Sequence, residues 1–518
     1  MSYIQVSADK HGFADSVTGQ RFVPIGSNYC AVMGRAKLGA FMSQVFHLFG
    51  TDDDTSDTGI GEAIKWIDKL ADLNLNVLRI WLEPDEFFQD GYRISPQGAE
   101  KLDRFFEACR ERGMRVAVGM HLAPSASGWK LHNFQPPHNQ RLLEMLHLLG
   151  TRWGNEPAIF SWTIVGEGQL PWYTKWLGER WPTFLQYWYN DNLEDLKKAW
   201  GGLPGGSISS FEDAPMPPRN IGACLGIDRV NPGRLKDLPH DPWAGSTWRY
   251  DWRMFLEEIG SRRVHEEVRT LRSAGAKQMM TVGANCWTFP NLPAGQMTMG
   301  YVPNFYLDSV DYLCQHNYPG PQCLPGGNGD PLSSDQAMQD WLAANQIMGR
   351  IYASLGKPVV MEEFGWYGGG KSNFLCPLPE RSLEDQDRYM NLMMESMQGS
   401  FSGWFQWLHR DMPRAADISN LSGLFTSDGK LKPAGKRYGQ WAKKLHQSPP
   451  PYVPGRSVVD IDMKGMFTND IHHETWWQEQ ISGYASKGPL DFRYRFEPKP
   501  MTSSQRGLRG VPHVAAAE

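Results

Sequence analysis

The chain has 518 residues, 41% of them hydrophobic and 21% charged, with a formal net charge of -5 carried by both signs. That balance excludes the basic stripe of a nucleic-acid binder and the charge blocks of a disordered tail. Apolar runs such as Phe41 to Phe49 are broken by polar residues well short of a bilayer span, so neither nucleic acid nor a membrane is an expected partner.

The N-terminal MSYIQVSADKHGF lacks a basic segment followed by an apolar one, so no secretory signal is read there. The 7 cysteines are an odd number without CxxC pairs, which predicts free thiols and a cytoplasmic location. The 21 tryptophans are mostly large core side chains, with some available as platforms for apolar sugar faces.

From residue 20 to 446, short β-rich runs alternate with amphipathic stretches, the signature of parallel βαβ units. The predicted strands are Arg21–Asn28, Asn76–Leu82, Met114–His121, Ala158–Glu167, Gln278–Ala284, Ser309–His316, Pro358–Glu363 and Gly403–Leu408. Helical spacing falls between them at Gly61–Leu73, Gln97–Arg112, Asn139–Trp153, Trp252–Ser273, Ser334–Leu355, Leu383–Gln398 and Pro433–His446. Several of these stop at a glycine, as at Gly113 and Gly356, where a left-handed cap turns the chain into the next strand. Eight such units predict an α/β fold closed as a (β/α)8 TIM barrel, with an open doubly wound sheet as the alternative.

One connection is abnormally long. After Glu167 a Trp-, Pro- and Gly-rich stretch, about 168–250, precedes the next barrel helix. Its WPTFLQYWYNDNLEDLKKAWGGL has helical spacing, so this insertion is expected to be partly ordered and to roof one side of the barrel mouth. The barrel is expected to span 1–446. Beyond it HQSPPPYVPG forms a stiff spacer, and 447–518 is read as an appendage.

Three motifs invite chemistry and are set aside. GWYGGGKS at Gly365–Ser372 fits the phosphate-loop pattern, but two prolines in the following NFLCPLPE occupy the place of the helix that pattern needs. IHHETWW at Ile471–Trp477 lacks the spacing that puts both imidazoles on one helical face, and is read as surface histidines. Asn155-Glu156-Pro157 enters the fourth strand, so Glu156 belongs to the structural, N-terminal face. Neither a cofactor nor a metal is expected.

Barrel enzymes keep their sites at the C-terminal strand ends. Here those ends carry Asn28, Arg79 with Glu83, His121, Glu167, His316 with Tyr318, Glu362 with Glu363, and Trp407. Glycoside hydrolysis needs two carboxyl groups flanking one bond, and glutamates on strands four and seven face each other across the mouth.

The motifs GSNY, NVLRIW, VAVGMHL, FSWTIVGE, HNYPG, KPVVMEEFGW and GWFQW, in that order, resemble the strand ends of glycoside hydrolase family 5 and its clan A of retaining enzymes. The segment after strand four is similar to that of family 42 β-galactosidases and other exo-acting members. The resemblance implies Glu167 as general acid/base and Glu363 as nucleophile. It further implies Asn28, Arg79, His121, His316, Tyr318 and Trp407 as the substrate shell. Glu363 is preferred to Glu362 on strand alternation and because it directly precedes Phe364-Gly365. One departure stands out: the family's fourth strand ends in Asn-Glu, its asparagine binding the sugar 2-hydroxyl, whereas Gly166 stands here. The expected function is therefore a retaining β-glycoside hydrolase acting on an oligosaccharide or glycoside, exo-acting on galactosides, mannosides or glucosides. An endo-acting glucanase or mannanase, or a weakened barrel that only binds sugar, are the alternatives.

Overall fold

The computed structural model describes residues 1–38, 41–49, 58–89, 93–120, 138–165, 175–216, 245–283, 302–319, 330–373, 378–415 and 417–496. Eight parallel strands form the central sheet: β1 (Ile25–Asn28), β2 (Val77–Leu82), β3 (Arg115–Met120), β4 (Ile159–Thr163), β5 (Met279–Thr281), β6 (Leu313–Asn317), β7 (Val359–Phe364) and β8 (Gly403–Gln406). Their order is β5-β4-β3-β2-β1-β8-β7-β6. The gap between β5 and β6 is bridged by Asp311 N to Met280 O at 2.9 Å and Thr281 Oγ1 to Tyr312 O at 2.9 Å. The sheet is thus curled into the predicted barrel.

Each strand is followed by a helix: α1 (Thr58–Asp72), α2 (Pro96–Glu111), α3 (His138–Trp153), α4 (Thr247–Ser273), the short α5 (Pro303–Tyr306), α6 (Asp335–Ala353), α7 (Leu383–Ser396) and α8 (Pro433–Gln447). The glycine stops behave as expected. Gly113 and Gly356 follow α2 and α6 at φ 68° and 79°, which a residue with a Cβ adopts only under strain.

Strands covered on both faces are apolar throughout, and alternation sorts them into two cores. Val77, Ala117, Met279, Tyr312, Cys314, Val360 and Phe405 fill the barrel interior, which Ile4 and Phe13 of an N-terminal three-stranded sheet close from below. Their strand neighbours, such as Leu78, Val116, Leu313 and Met361, pack outward under the helices. Among the described residues the barrel is a filled core, with a polar layer around Arg79 toward the C-terminal end.

At the opposite end, Glu156 pairs with Arg110 and accepts from Ala158 N at 2.8 Å, holding the entry to β4. The expectation that this glutamate is structural matches its surroundings.

The insertion is helical at Lys175–Trp188 and Leu193–Trp200. Both helices are tied to α4 through Asp251, which accepts from Tyr189 Oη at 2.5 Å, Trp200 Nε1 at 2.7 Å and Trp188 Nε1 at 3.2 Å. Burial pushes the Asp251 carboxyl up to about 7 against the pull of these three donors. The first turns of α4 lie on the side where strands end, which brings the insertion to the functional end of the barrel.

In the tail, strands Ser457–Asp462 and Leu490–Arg495 pair in parallel around helices Met463–Thr468 and Asp470–Lys487. Trp477 and Phe492 join the main core, and buried Arg350 of α6 donates to Leu490 O at 2.9 Å. The histidines of IHHETWW are not surface residues: His473 is fully buried and His472 half-buried, because their helix turns that side onto the core. The GWYGGGKS segment is loop, with Gly370 bridged to Arg381; residues 371–373 are not helical, and the next helix among the described residues begins at Leu383. Among the described residues no helix is long and apolar enough to cross a membrane.

Candidate active site

Arg79 organises the polar layer. It sits on the interior face of β2, fully buried, two residues before Trp81, whose ring lies 4.8 Å from the guanidinium carbon. A desolvated cation over indole gains on the order of 2 kcal/mol. Its Nη1 donates to Glu363 Oε1 at 2.5 Å and to Asn28 Oδ1 at 3.0 Å, and its Nε stands 3.3 Å from Glu362 Oε2. Burial alone would lower the Arg79 pKa. Glu362 and Glu363 outweigh it and hold the side chain charged.

Asn28, at the end of β1, is fully buried, and its amide nitrogen donates to Glu362 O at 3.0 Å and Gln406 O at 3.2 Å. It ties β1 to the two preceding strands of the ring and steadies Arg79 at the same time. Tyr318 Oη donates to Glu363 Oε2 at 2.8 Å. His316 lies between the two glutamates, Nδ1 3.3 Å from Glu363 Oε1 and Nε2 3.5 Å from Glu362 Oε2.

Both glutamates of β7 therefore reach the same site, which simple alternation forbids. Val360 faces the interior and Met361 faces the helices, so a regular strand would point Glu362 inward and Glu363 outward. The alternation argument for Glu363 thus has the wrong sign. The β6–β7 register shifts at Gln315/His316, so that Met361 opposes Gln315 but Glu363 opposes His316, and a second shift toward β8 falls between Met361 and Phe364. An extra residue in the strand re-aims its side chain, and this bulge brings Glu363 to the rim beside Glu362.

The two carboxylates differ in depth. Glu362 is 0% exposed and Glu363 5%. Glu362 Oε1 accepts from Tyr312 Oη at 3.0 Å and Thr163 Oγ1 at 3.2 Å, and Tyr312 in turn meets Ser161 Oγ at 2.8 Å. Burial pushes the Glu362 carboxyl up, but the Arg79 guanidinium and then His316 pull it down further, to about 2. This group is ionised in the folded protein. Its folded pKa lies below that of the unfolded chain, so its stabilising contribution is present above about pH 4.5 and is lost as the pH falls toward about 2.

Trp407, just past β8, donates from Nε1 to Ser419 Oγ at 2.7 Å. Its ring meets Trp81 (5.4 Å between centroids), Phe46 (5.5 Å) and Tyr318 (6.4 Å) edge-on, leaving it 5% exposed. Phe46 belongs to a hairpin, Val32–Leu38 and Phe41–His47, anchored by Glu83 Oε1 on Phe46 N at 2.8 Å and by Glu86 on the amides of Leu48 and Phe49 at 2.7 Å. Burial pushes the Glu86 carboxyl up to about 7.

The structure thus brings together Asn28, Arg79, His316, Tyr318, Glu363 and Trp407. Gly166, Glu167 and His121 lie outside the described residues. Sequence reasoning missed Trp81, Thr163, Tyr312 and Phe46. Trp81 and Thr163 could have been found, since Trp81 shares the face of Arg79 and Thr163 shares that of Ser161, each by a step of two. The hairpin carrying Phe46 left no comparable signal.

Among the described residues one group has metal-ligating character: Cys314, His316 and Glu362, with donor atoms within 4.8 Å of one another. The Arg79 cation already occupies Glu362, and Cys314 Sγ donates to Val282 O at 2.8 Å. Those commitments oppose a further cation there.

No family model matches the sequence, and no curated protein matches it either. Solved structures do match. GH5_18 from Streptomyces cattleya in complex with Manb1-4GlcNAc is 12% identical over 85% of this chain and 89% of that chain, with a TM-score of 0.54. A GH42 β-galactosidase from G. stearothermophilus is 14% identical over 91% of this chain and 65% of that chain, TM-score 0.65. The exo-β-1,4-mannosidase from Opitutaceae bacterium strain TAV5 is 14% identical over 97% and 74%, TM-score 0.57. The chain shares the (β/α)8 barrel fold of these solved structures.

Proposed function

We propose that the chain is a retaining β-glycoside hydrolase, exo-acting on β-linked galactosides, mannosides or glucosides, with Glu363 as nucleophile and Glu167 as general acid/base. The observation that carries this reading is Glu363 itself. It is a rim carboxylate at the C-terminal end of β7, gripped by Arg79 at 2.5 Å and by Tyr318 at 2.8 Å, and the Tyr318 ring meets the Trp407 indole. Such donors keep a carboxylate ionised and aim one lone pair at an incoming carbon.

In the first step a Glu363 oxygen bonds to the anomeric carbon while the glycosidic C–O bond breaks, and the proton of Glu167 passes to the leaving oxygen. In the second, water gives a proton to Glu167 as its oxygen bonds to the same carbon and Glu363 leaves. Glu167 follows β4 by four positions, in the barrel unit that would set it across the mouth from β7. Two inversions restore the starting configuration. His121 and His316 serve the sugar hydroxyls and the acid/base. Trp407 is the floor, and Asn28 acts through Arg79. With Gly166 in the place of the family asparagine, recognition of the 2-hydroxyl falls to another donor or a different C2 configuration or substituent is accepted. The insertion closes one end of the cleft into a pocket, which selects chain ends. The names of two structural neighbours, a β-galactosidase and an exo-β-1,4-mannosidase, agree with that choice.

A panel of aryl β-galactosides, β-mannosides, β-glucosides and N-acetylated sugars, assayed with wild type and Glu167→Gln, tests the reading. Turnover of at least one sugar, lost in the variant for poor leaving groups, is expected. Tight binding of a sugar with no turnover of any member would instead make the barrel a binding protein.

A further inference from the structure

Glu362 has no part in the double displacement, yet it is a fully buried, ionised carboxylate beside the nucleophile. A buried charge is costly unless it is paired, and Arg79 with Glu363 alone would already make a balanced pair. The second carboxylate needs a reason.

Its contacts supply one. Arg79 is divided between the two glutamates, Nη1 going to Glu363 Oε1 at 2.5 Å and Nε facing Glu362 Oε2 at 3.3 Å. His316 is divided likewise, Nδ1 to Glu363 and Nε2 to Glu362. Arg79 from β2 and His316 from β6, which steady Glu363, thus also answer to Glu362, while Tyr318 donates to Glu363. Glu362 in turn is fixed from below by Tyr312 and Thr163. It cannot move away to let Arg79 turn fully toward the rim.

We infer that Glu362 is a positioning residue: by sharing Arg79 and His316, it keeps Glu363 from being over-neutralised and so keeps it nucleophilic. The inference rests on Glu363 being the nucleophile, as proposed above. A carboxylate held by a whole guanidinium is a stabilised anion and a poor attacker. One that shares its cation with a like charge has higher basicity. Among the described residues, the charged and titratable groups facing the pair are Arg79 from β2, Tyr312, Cys314 and His316 from the β6 segment, and Tyr318 just beyond it. Removing the Glu362 charge acts on Glu363 in one direction twice. A like charge disappears, and Arg79 is freed for Glu363, and both changes lower the basicity of Glu363.

The test is Glu362→Gln in the full chain, assayed on the best aryl β-glycoside, with kcat, KM and the pH profile of kcat/KM. Expected are a kcat lower by about tenfold or more, a nearly unchanged KM, and an acid limb moved to lower pH by about one unit, since one unit of basicity corresponds to about a tenfold change in equilibrium. Glu362→Asp, which keeps the charge, should return the limb toward wild type. If Glu362→Gln does not fold, Tyr312→Phe provides the opposite sign. With a donor lost, Glu362 draws harder on Arg79, and the acid limb should rise. An acid limb unmoved in the variant, with any loss of rate matching a loss of folded protein, would overturn the inference. Wild-type turnover abolished by Glu363→Gln alongside that result would leave the assigned function standing. Absence of wild-type turnover on every glycoside would end both.

Discussion

Glu363→Gln is expected to lower kcat on the best glycoside by about 10⁴-fold or more, in the range seen when a nucleophile is removed from an otherwise intact site. The amide has nearly the carboxylate's shape: its oxygen can take the place of Oε1 and accept from Arg79, while its nitrogen takes the place of Oε2 and can donate to the Tyr318 hydroxyl, the two groups that grip Glu363 at 2.5 and 2.8 Å. What it lacks is the charge and the lone-pair reactivity needed to bond the anomeric carbon. Glu362 remains beside Arg79 as a counter-charge, so folding stability should change by no more than about 1 kcal/mol. Sugar binding should persist, because the aromatic and hydroxyl-binding groups are untouched. Steady-state kinetics beside a thermal unfolding curve check both halves. Retention of half the activity in a folded variant would remove Glu363 from the chemistry, and a much larger loss in Glu362→Gln would transfer the role to its neighbour.

Arg79→Ala should do the greatest structural damage of any single change at the site. It strips the cation from two buried carboxylates at once, and breaking a buried pair by removing one partner costs about 3–5 kcal/mol. The loss should depend on pH with a defined sign. Without the guanidinium, burial is left to raise both carboxyl groups, so the variant's folded state prefers them protonated. Its stability should therefore be greatest in mild acid and decline as the pH rises through the raised values. In the wild type, by contrast, ionisation of Glu362 adds stability above about pH 4.5. Arg79→Lys retains the charge but not the fork that serves Asn28, Glu362 and Glu363 together, so it should fall between wild type and alanine. Denaturant unfolding at about pH 5 and pH 8 measures the difference. Equal destabilisation at both values would contradict the charge account.

The barrel was legible because its signals are local. Each strand is an apolar run, and each helix carries a period and often a glycine stop such as Gly113 or Gly356. The rim residues were legible for the same reason, since strand direction alone separates Glu156, paired with Arg110 at the base, from the polar layer around Arg79. What escaped depends on registers between strands. The bulge that brings Glu363 next to Glu362 is a property of the β6–β7 and β7–β8 pairings, and nothing in MEEFGW marks it. Regular alternation would turn Glu363 outward, so it gives no ground for choosing Glu363 over Glu362, and the bulge brings both to the rim. The hairpin that sets Phe46 against Trp407 escaped because its apolar residues serve a covering element rather than a barrel strand. The buried His473 was misread for a third reason: the tail was treated as an appendage, whereas its helix shares the main core through Trp477.

The central claim is that Glu363 is a nucleophile and not a base that activates water, and the stereochemistry of the first product decides between them. Proton NMR followed from the first minute of hydrolysis, before mutarotation mixes the anomers, reads that configuration directly. A β-glycoside should release the β-hemiacetal first, with the α-anomer growing in later. If the α-anomer is released first, the bond was broken by a single displacement, and the double displacement on Glu363 is wrong.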